Sequence, residues 1–280
     1  MRIISITFNF LFILQSLLAQ TLVIEKFIPL NFNANDFSIN ENRNHIFLIS
    51  KETNEIIKIN SDGKRLKKIG GFGWSEGQFD SPASIVSTAI DIYVADFNNH
   101  RIQRFDQNLN FISSLEKSET INFEYPVSIA LSTKGDLYIL DSKNKKILKI
   151  NGFSKLERTF GNYESGNIVL REPKVVKLDQ SQLIYILDRE RILAYDEFGS
   201  FIKSIQIPED LKDKVIDFQI FQNSICFLTE DSLYEFRDEL KKYFIDNEII
   251  ENSKFRKLEI RLGKLYLLTE KGILLCEKVN

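Results

Sequence analysis

The chain has 280 residues, of which 43% are hydrophobic and 27% are charged, a composition typical of a globular protein and not of a disordered one. Its formal net charge is −2 at pH 7, so the basic excess of nucleic-acid-binding domains is missing and we expect no nucleic-acid partner. The length suffices for one large all-β domain with a sizeable core.

Residues 1–20 have the layout of a secretory signal peptide. Arg2 is the only early charge, an apolar run covers positions 3–14, and Ala19 precedes a polar residue. We expect cleavage after Ala19 or Gln20, a secreted or periplasmic protein, and no membrane span in the mature chain. The alternative is an uncleaved anchor, since positions 3–19 reach the lower limit for a membrane span, but polar residues interrupt them.

An apolar pattern of five residues returns along the chain, and Ile92-Tyr93-Val94-Ala95-Asp96 is its clearest copy. The second position of the pattern is filled in turn by Phe47, Tyr93, Tyr138, Tyr185, Cys226 and Tyr266. Consecutive copies lie 40 to 47 residues apart, which is a period typical of β-propeller blades. The chain is therefore predicted to contain six copies of one unit.

Each copy contains further short apolar bursts, rich in Ile, Tyr and Phe and bounded by Asp, Asn, Gly or Lys, which indicates strands. A second burst follows each first one, as at 102–105 after 92–96. Predicted inner strands span 84–87, 128–131, 175–178 and 217–220, and predicted outer strands span 65–69, 111–115, 154–160, 201–207 and 241–245. These patterns predict an all-β fold of four-stranded antiparallel blades.

The sixth copy ends after its third strand and so lacks an outer strand. Residues 21–27 have the character of an outer strand, and the first copy does not need them. We expect them to pair with residues 273–276, because an unpaired edge would leave the ring unclosed. The prediction is one closed six-bladed β-propeller over residues 21–280, with residues 21–30 as the closing strand of the last blade.

The second copy, residues 70–111, carries three motif segments: GQFDSP at 77–82, IYVAD at 92–96 and NHRIQRFD at 99–106. Together they strongly resemble an NHL repeat, in which a glycine-rich turn leads through Pro to the inner strand and the second strand ends in Asp. The third copy keeps Pro126, Tyr138 and Asp141, whereas the fifth and sixth keep only the apolar skeleton. The resemblance implies the propeller fold and, by itself, no particular function.

Charged residues at the ends of the second strands are predicted to hold turns. Asp96 and Arg101 lie at the two ends of one tight connection, where a carboxylate and a guanidinium would pair. The corresponding pairs expected in the next two copies are Asp141 with Lys145 or Lys146, and Asp188 with Arg189 or Arg191. Because the arrangement recurs, we interpret it as scaffold and not as a catalytic site.

We assign no catalytic role and no cofactor to the remaining reactive side chains. His45 and His100 are too few for a lyase that uses several His ligands, and we assign both to structure. Cys226 and Cys276 take core positions of the repeat, and whether they form a disulfide stays open.

Four carboxylates near the predicted inner strands keep an enzymatic alternative open: Glu124, Glu172, Asp217 and Glu259. Propeller lactonases and related hydrolases, which this fold resembles, hold a divalent cation in the central channel with Glu, Asn and Asp. The alternative function is therefore a metal-dependent hydrolase or lyase with a carboxylate-lined channel. The four residues show no fixed spacing, so we assign none of them as a metal ligand.

In a propeller, the loops from second to third strand share one face with the loops from outer strand to next inner strand. The former are predicted to be longer in copies one to three, at 51–54, 97–100 and 142–145, than in copies four to six. Candidate interaction residues on this face are Phe72, Trp74, Phe97, Asn98, Asn99, Tyr125, Lys145 and Tyr163.

An aromatic residue on these loops either packs between blades or stays exposed for a partner. Phe72 and Phe79 are expected to fill gaps between blades, whereas Trp74, between Gly73 and Ser75, is harder to bury. An aromatic patch with a polar rim is typical of a protein or peptide contact site. We therefore predict a non-catalytic protein-binding scaffold in the cell envelope or outside the cell, and leave glycan binding by Trp74 open.

Overall fold

The strands of the computed structural model form six sheets, and each sheet is one blade. The structure describes residues 20–163, 168–245 and 253–277. Apart from Gln20, the expected signal peptide lies outside the described residues, so its cleavage stays a prediction. Within the described part of the chain, no helix is both long enough and apolar enough to span a membrane.

Each blade consists of an inner, a second, a third and an outer strand, in this order from the central channel outward. Blade one consists of β3 (Asp36–Asn40), β4 (His45–Ser50), β5 (Glu55–Asn60) and β6 (Arg65–Gly70). Blade two consists of β7 (Pro82–Ser87), β8 (Asp91–Asp96), β9 (Arg101–Asp106) and β10 (Phe111–Leu115). Blade three consists of β11 (Pro126–Leu131), β12 (Leu137–Asp141), β13 (Lys146–Asn151) and β14 (Lys155–Phe160).

Blades four and five consist of β15 (Pro173–Leu178), β16 (Ile184–Asp188), β17 (Arg191–Tyr195) and β18 (Phe201–Gln206), and of β19 (Asp217–Phe221), β20 (Ser224–Leu228), β21 (Leu233–Phe236) and β22 (Leu240–Phe244). Blade six consists of β23 (Phe255–Arg261), β24 (Lys264–Thr269), β25 (Gly272–Glu277) and β2 (Val23–Pro29). The described connections include the short 3-10 turns Glu41–Arg43 and Glu209–Leu211.

The predicted inner strands begin two residues earlier in the structure where a proline precedes them. Pro82, Pro126 and Pro173 are each the first residue of their strand, and the register shifts directly after each proline. Proline is tolerated at this position because the first residue of a strand does not need to donate an N–H to the ladder.

The closing strand is confirmed. β2 pairs antiparallel with β25, with Ile28 opposite Ile273, so this N-terminal strand completes the last blade. Two further residues, β1 (Gln20–Thr21), pair in parallel with β22 of blade five, a contact that the sequence did not predict. The start of the propeller is thereby joined to both blade five and blade six.

The core lies between the blades, because the second and third strands are apolar on both faces. Buried side chains of neighbouring blades meet in separate clusters, one at each of the six blade junctions of the described chain. At the junction that closes the ring, Ile28, Leu268 and Ile273 of blade six pack with Leu48 and Ile57 of blade one. Closure therefore buries apolar surface as well as pairing strands.

Polar side chains form hydrogen bonds between successive inner strands around the central channel, and we call these contacts latches. At one equivalent position the side chain accepts a hydrogen bond from a backbone N–H of the next blade, as Asp36 does from Ile85 at 3.1 Å and Asp217 from Leu258 at 2.9 Å. Ser84 and Ser128 make the same contact with Ile129 and Val176. Val175 and Lys257 take this position in blades four and six.

Candidate interaction face

The loops between second and third strands, and those between each outer strand and the next inner strand, form one end of the propeller, which we call the top face. The former span four residues in blades one to three but two residues in blades four and six. In blade five the Thr229 N–H donates to the Ser232 carbonyl at 2.9 Å, so residues 230–231 make the reversal. The top-face loops are therefore longer in blades one to three than in blades four to six, as the sequence spacing predicted.

A fully buried aspartate ends the second strand in blades two, three and four. Each carboxylate accepts a backbone N–H from the connection that enters its blade: Asp96 from Asp80 at 2.8 Å, Asp141 from Glu124 at 3.2 Å and Asp188 from Arg171 at 2.7 Å. The three aspartates thus join the two kinds of top-face loop. In the other blades a hydroxyl residue takes this position: Ser50, Thr229 or Thr269.

The ion pair expected in blade two is confirmed. Arg101 Nε donates to Asp96 Oδ2 at 2.8 Å, and both side chains are buried. Asn99 and Gln103 donate to the same oxygen at 2.9 and 3.2 Å. Burial raises the pKa of the Asp96 carboxyl above its ordinary value, although these donors and the Asp80 N–H act in the opposite direction.

Arg101 also fixes the glycine-rich connection that enters blade two. Its two terminal nitrogens donate to the carbonyls of Trp74 at 2.7 Å, Ser75 at 3.0 Å and Gln78 at 3.0 Å. Gly73 has a φ of +156°, and a Cβ at this position would clash with the Gln78 carboxamide. The backbone around Trp74 is therefore held in one shape by buried contacts, and its side chain is left to project.

The pairs expected in blades three and four are only partly correct. Asp188 binds Arg191 at 2.9 Å, as predicted, but Arg189 lies beside Glu190 instead. In blade three, Asp141 binds the backbone N–H and the side-chain amide of Asn144, at 3.0 and 2.7 Å, in place of a lysine. The expected Lys145 or Lys146 pair was therefore wrong, although Lys146 lies opposite Asp141 in the ladder as Arg101 lies opposite Asp96.

Three of the aromatic candidate residues are strongly exposed. Phe72 and Trp74 each expose 67% of their surface, and Tyr163 exposes 87%. The expectation that Phe72 fills a gap between blades was therefore wrong. Phe79 is fully buried and takes that role, as expected.

A second group of candidates forms a half-buried aromatic cluster between blades two and three. The rings of Phe97 and Tyr125 are 5.1 Å apart, and His100 meets Tyr125 edge-on at 4.3 Å. His100 Nδ1 accepts the Tyr125 N–H at 3.0 Å, so this histidine has a structural role across the blade junction. His45, by contrast, starts β4 at the other end of a blade, and burial lowers its pKa.

The polar candidates divide between surface and scaffold. Asn98 and Lys145 are exposed. Asn99 is buried, because its amide donates to the Gly73 carbonyl and to Asp96, both at 2.9 Å. Including Asn99 in the interaction face was therefore wrong, since its side chain supports the loop from beneath.

A cavity of about 480 Å³ occupies the centre of the ring. Of the four carboxylates expected near it, Glu259 lines the cavity, and Asp217 contacts the lining residue Lys177. Glu124 and Glu172 lie on top-face connections instead, where Glu124 pairs with Lys143 at 2.5 Å. The described residues contain no group of three or more His, Cys, Asp or Glu side chains able to hold a metal ion.

Lysines lie between the channel carboxylates. Lys257 Nζ is 3.7 Å from Asp36 and 3.8 Å from Asp217, and Lys177 Nζ is 3.5 Å from Asp217. Burial lowers the pKa of Lys177 and raises that of the Glu259 carboxyl. For Lys257 burial is outweighed by Asp217 and Asp36, so its pKa is raised. The chain's own ammonium groups thus balance the buried acids of the channel.

Six four-stranded blades and a closing strand define a six-bladed β-propeller, and buried aspartates order the loops of its top face in blades two to four. A family model described as NHL repeat matches residues 79–105, within the copy that carries the motif segments. Blade two therefore carries an NHL repeat, and the chain folds as a six-bladed β-propeller.

Two curated proteins are similar to about half of the chain. Protein brain tumor of Drosophila melanogaster is 30% identical over 142 residues, which cover 48% of this chain and 13% of that protein. B-box type zinc finger protein ncl-1 of Caenorhabditis elegans is 31% identical over 143 residues, which cover 49% of this chain and 16% of that protein. The similarity spans less than a fifth of either relative's length.

Among solved structures, a catalytically inactive virginiamycin B lyase from Staphylococcus aureus, with quinupristin, is similar with a TM-score of 0.62 and 13% identity. The match covers 91% of this chain and 99% of the lyase chain. At this identity the likeness shows the shared fold and no more.

Proposed function

We propose that this protein is a non-catalytic scaffold that binds another protein through the top face of blades two to four, in the cell envelope or outside the cell. The observation that carries the proposal is the exposure of Phe72, Trp74 and Tyr163 on loops of one face. Large aromatic side chains with polar neighbours are the usual anchors of protein interfaces.

The anchoring of these loops supports the proposal. Arg101 holds the Trp74 backbone and Asp96 holds Arg101, so Trp74 is presented from a fixed backbone. A preorganised loop loses little conformational entropy on binding, which favours tight binding of a partner. The NHL repeat in blade two fits a protein-interaction role, and the apolar N-terminal segment supports the envelope or extracellular location.

A metal-dependent hydrolase or lyase in the central channel is the alternative, suggested by the lyase with the same fold. The charges of the channel disfavour it, because Lys257 already lies within 4 Å of both Asp36 and Asp217. A divalent cation would have to displace or closely approach this ammonium group, at a large electrostatic cost in a buried site. The alternative requires bound divalent metal in the purified protein and turnover that an Asp217→Asn variant loses.

The proposal is tested by capturing partners from an envelope and culture-supernatant extract with purified residues 21–280. The test variant is Phe72→Ser with Trp74→Ser, two exposed side chains whose removal leaves the Arg101 contacts intact, since those use backbone carbonyls. The matched control is Leu262→Ser, an 88% exposed residue in the loop between β23 and β24 at the opposite end of the blade.

We expect one protein to be retained by the parent and by the control but lost with the double variant, while all three unfold at the same denaturant concentration. Equal retention by the double variant, or equal loss with the control, would contradict a top-face interface.

A further inference from the structure

A groove on the top face lies between blades three and four. It has a volume of about 590 Å³, within the range of ligand pockets. Its lining comes from Asn144 and Lys145 of blade three, from Arg189 and Arg191 of blade four, and from residues 162–163 and 168–172 of the connection between these blades. Tyr163, the most exposed aromatic candidate, lies on this groove.

Basic side chains dominate the lining of the groove: Lys145, Arg171, Arg189 and Arg191. Among the described residues, only Arg191 is paired with a buried carboxylate, that of Asp188. Arg189 approaches Glu190 at 3.9 Å with both side chains well exposed, which is a weak pair. Within the described residues, Lys145 and Arg171 are exposed and have no ion-pair partner, and Glu172 is the only carboxylate of the lining.

These cations are presented on a fixed backbone. Asp188 Oδ1 accepts the N–H groups of Arg171 and Glu172, at 2.7 and 2.8 Å, while its other oxygen binds Arg191. The Arg189 N–H donates to the Glu172 carbonyl at 3.2 Å. On the other wall, Asp141 binds Asn144, the residue before Lys145. A buried aspartate therefore orders each wall, and the exposed charges need no partner within the fold.

We propose that this groove binds an acidic segment of the partner protein, with Lys145, Arg171 and Arg189 pairing with its carboxylates and Tyr163 packing on it. This inference rests on the proposed scaffold function and names the chemistry of the partner. Guanidinium groups bind carboxylates in bidentate geometry, and an unneutralised basic groove on a chain of net charge −2 selects acidic sequence. The three cations cover a short segment, too few for the many phosphate contacts of a nucleic-acid strand.

The test uses fluorescence anisotropy with a labelled peptide of alternating Glu and Asp around one Tyr. The comparison probes are the same peptide with Gln and Asn in place of the acids, and a uridine oligonucleotide of equal length. The test variant is Lys145→Glu with Arg171→Glu. The matched control is Arg158→Glu with Lys203→Glu, which changes charge equally at exposed positions on the outer strands of the same two blades.

We expect the parent and the control to bind the acidic peptide, with affinity falling as salt rises, and the test variant to bind at least tenfold more weakly. The amide peptide should bind at least tenfold more weakly than the acidic one. The inference is overturned if the test variant binds like the parent, if the amide peptide binds equally well, or if the oligonucleotide is the preferred ligand.

Partner capture separates this inference from the proposed function. If the groove variant retains the partner that the Phe72→Ser, Trp74→Ser variant loses, the scaffold function stands and the acidic-segment inference fails. If no variant of either kind changes capture, the top-face function itself fails.

Discussion

Asp96, Asp141 and Asp188 have the same place in three blades but bind different partners, and the neighbouring residues decide which. Arg101 reaches Asp96 because the four-residue loop brings it back beside the carboxylate, so this pair could be predicted from sequence. In blade three Asn144 binds Asp141 as Asn99 binds Asp96, but the residue opposite the carboxylate is Lys146, which forms no ion pair with it among the described residues. Sequence spacing places two charges opposite each other but does not show whether the cation binds the carboxylate.

Replacing Arg101 with Met should destabilise the protein by about 3 kcal/mol, because Asp96 would keep a buried charge without its ionic partner. The carbonyls of Trp74, Ser75 and Gln78 would also lose their hydrogen bonds from the guanidinium group. The measurement is equilibrium unfolding in urea. Lys134→Met is the control, since Lys134 pairs with Glu197 in solvent and its loss should cost under about 1 kcal/mol. Equal effects of the two variants would refute a stabilising role for the Arg101 network.

The thiols of Cys226 and Cys276 should be unreactive in the folded protein. Neither forms a disulfide and both are buried, and burial raises the pKa of Cys276 to about 12. The thiolate is the reactive form, so we expect no labelling by a thiol reagent at pH 8 under native conditions and labelling of both in denaturant. Rapid labelling of either cysteine before unfolding would show that the core between blades five and six opens.

At the scale of elements, the repeat pattern predicted the strands and the closing strand, because alternating turn residues and apolar bursts recur at a blade's period. The contact of β1 with blade five was not predictable, since two residues carry no pattern. The latches between inner strands were also missed. Asp36, Ser84, Ser128 and Asp217 become equivalent only when the blades are superimposed by their strand register.

Removing residues 20–29 should cost on the order of several kcal/mol, because the ring loses the β2 ladder and the buried packing of Ile28. Residues 30–280 should therefore unfold at a lower urea concentration and less cooperatively than residues 20–280. Adding a synthetic peptide of residues 20–29 should restore part of the loss. Coincident unfolding curves for the two proteins would contradict closure by the N-terminal strand.

At the scale of the molecule, the sequence predicted the propeller and the face of the candidate site, but not the composition of its surface. Loop lengths showed which half of the rim is larger, and the exposure of Trp74 followed from its small neighbours. Whether Phe72 and Asn99 point outward depends on what each loop packs against. Phe79 fills the gap that Phe72 was expected to fill, and Asn99 turns inward to Gly73 and Asp96.

The proposed contact of the top face of blades two to four with a protein partner is tested by site-specific photocrosslinking. A benzophenone amino acid replaces Trp74, Tyr163 or, as the control at the opposite end, Leu262, all strongly exposed in the free protein. After irradiation in the native extract, we predict that the probes at positions 74 and 163 form adducts with the same protein and that the probe at 262 does not. Adducts confined to position 262, or equal at all three positions, would contradict the proposed contact.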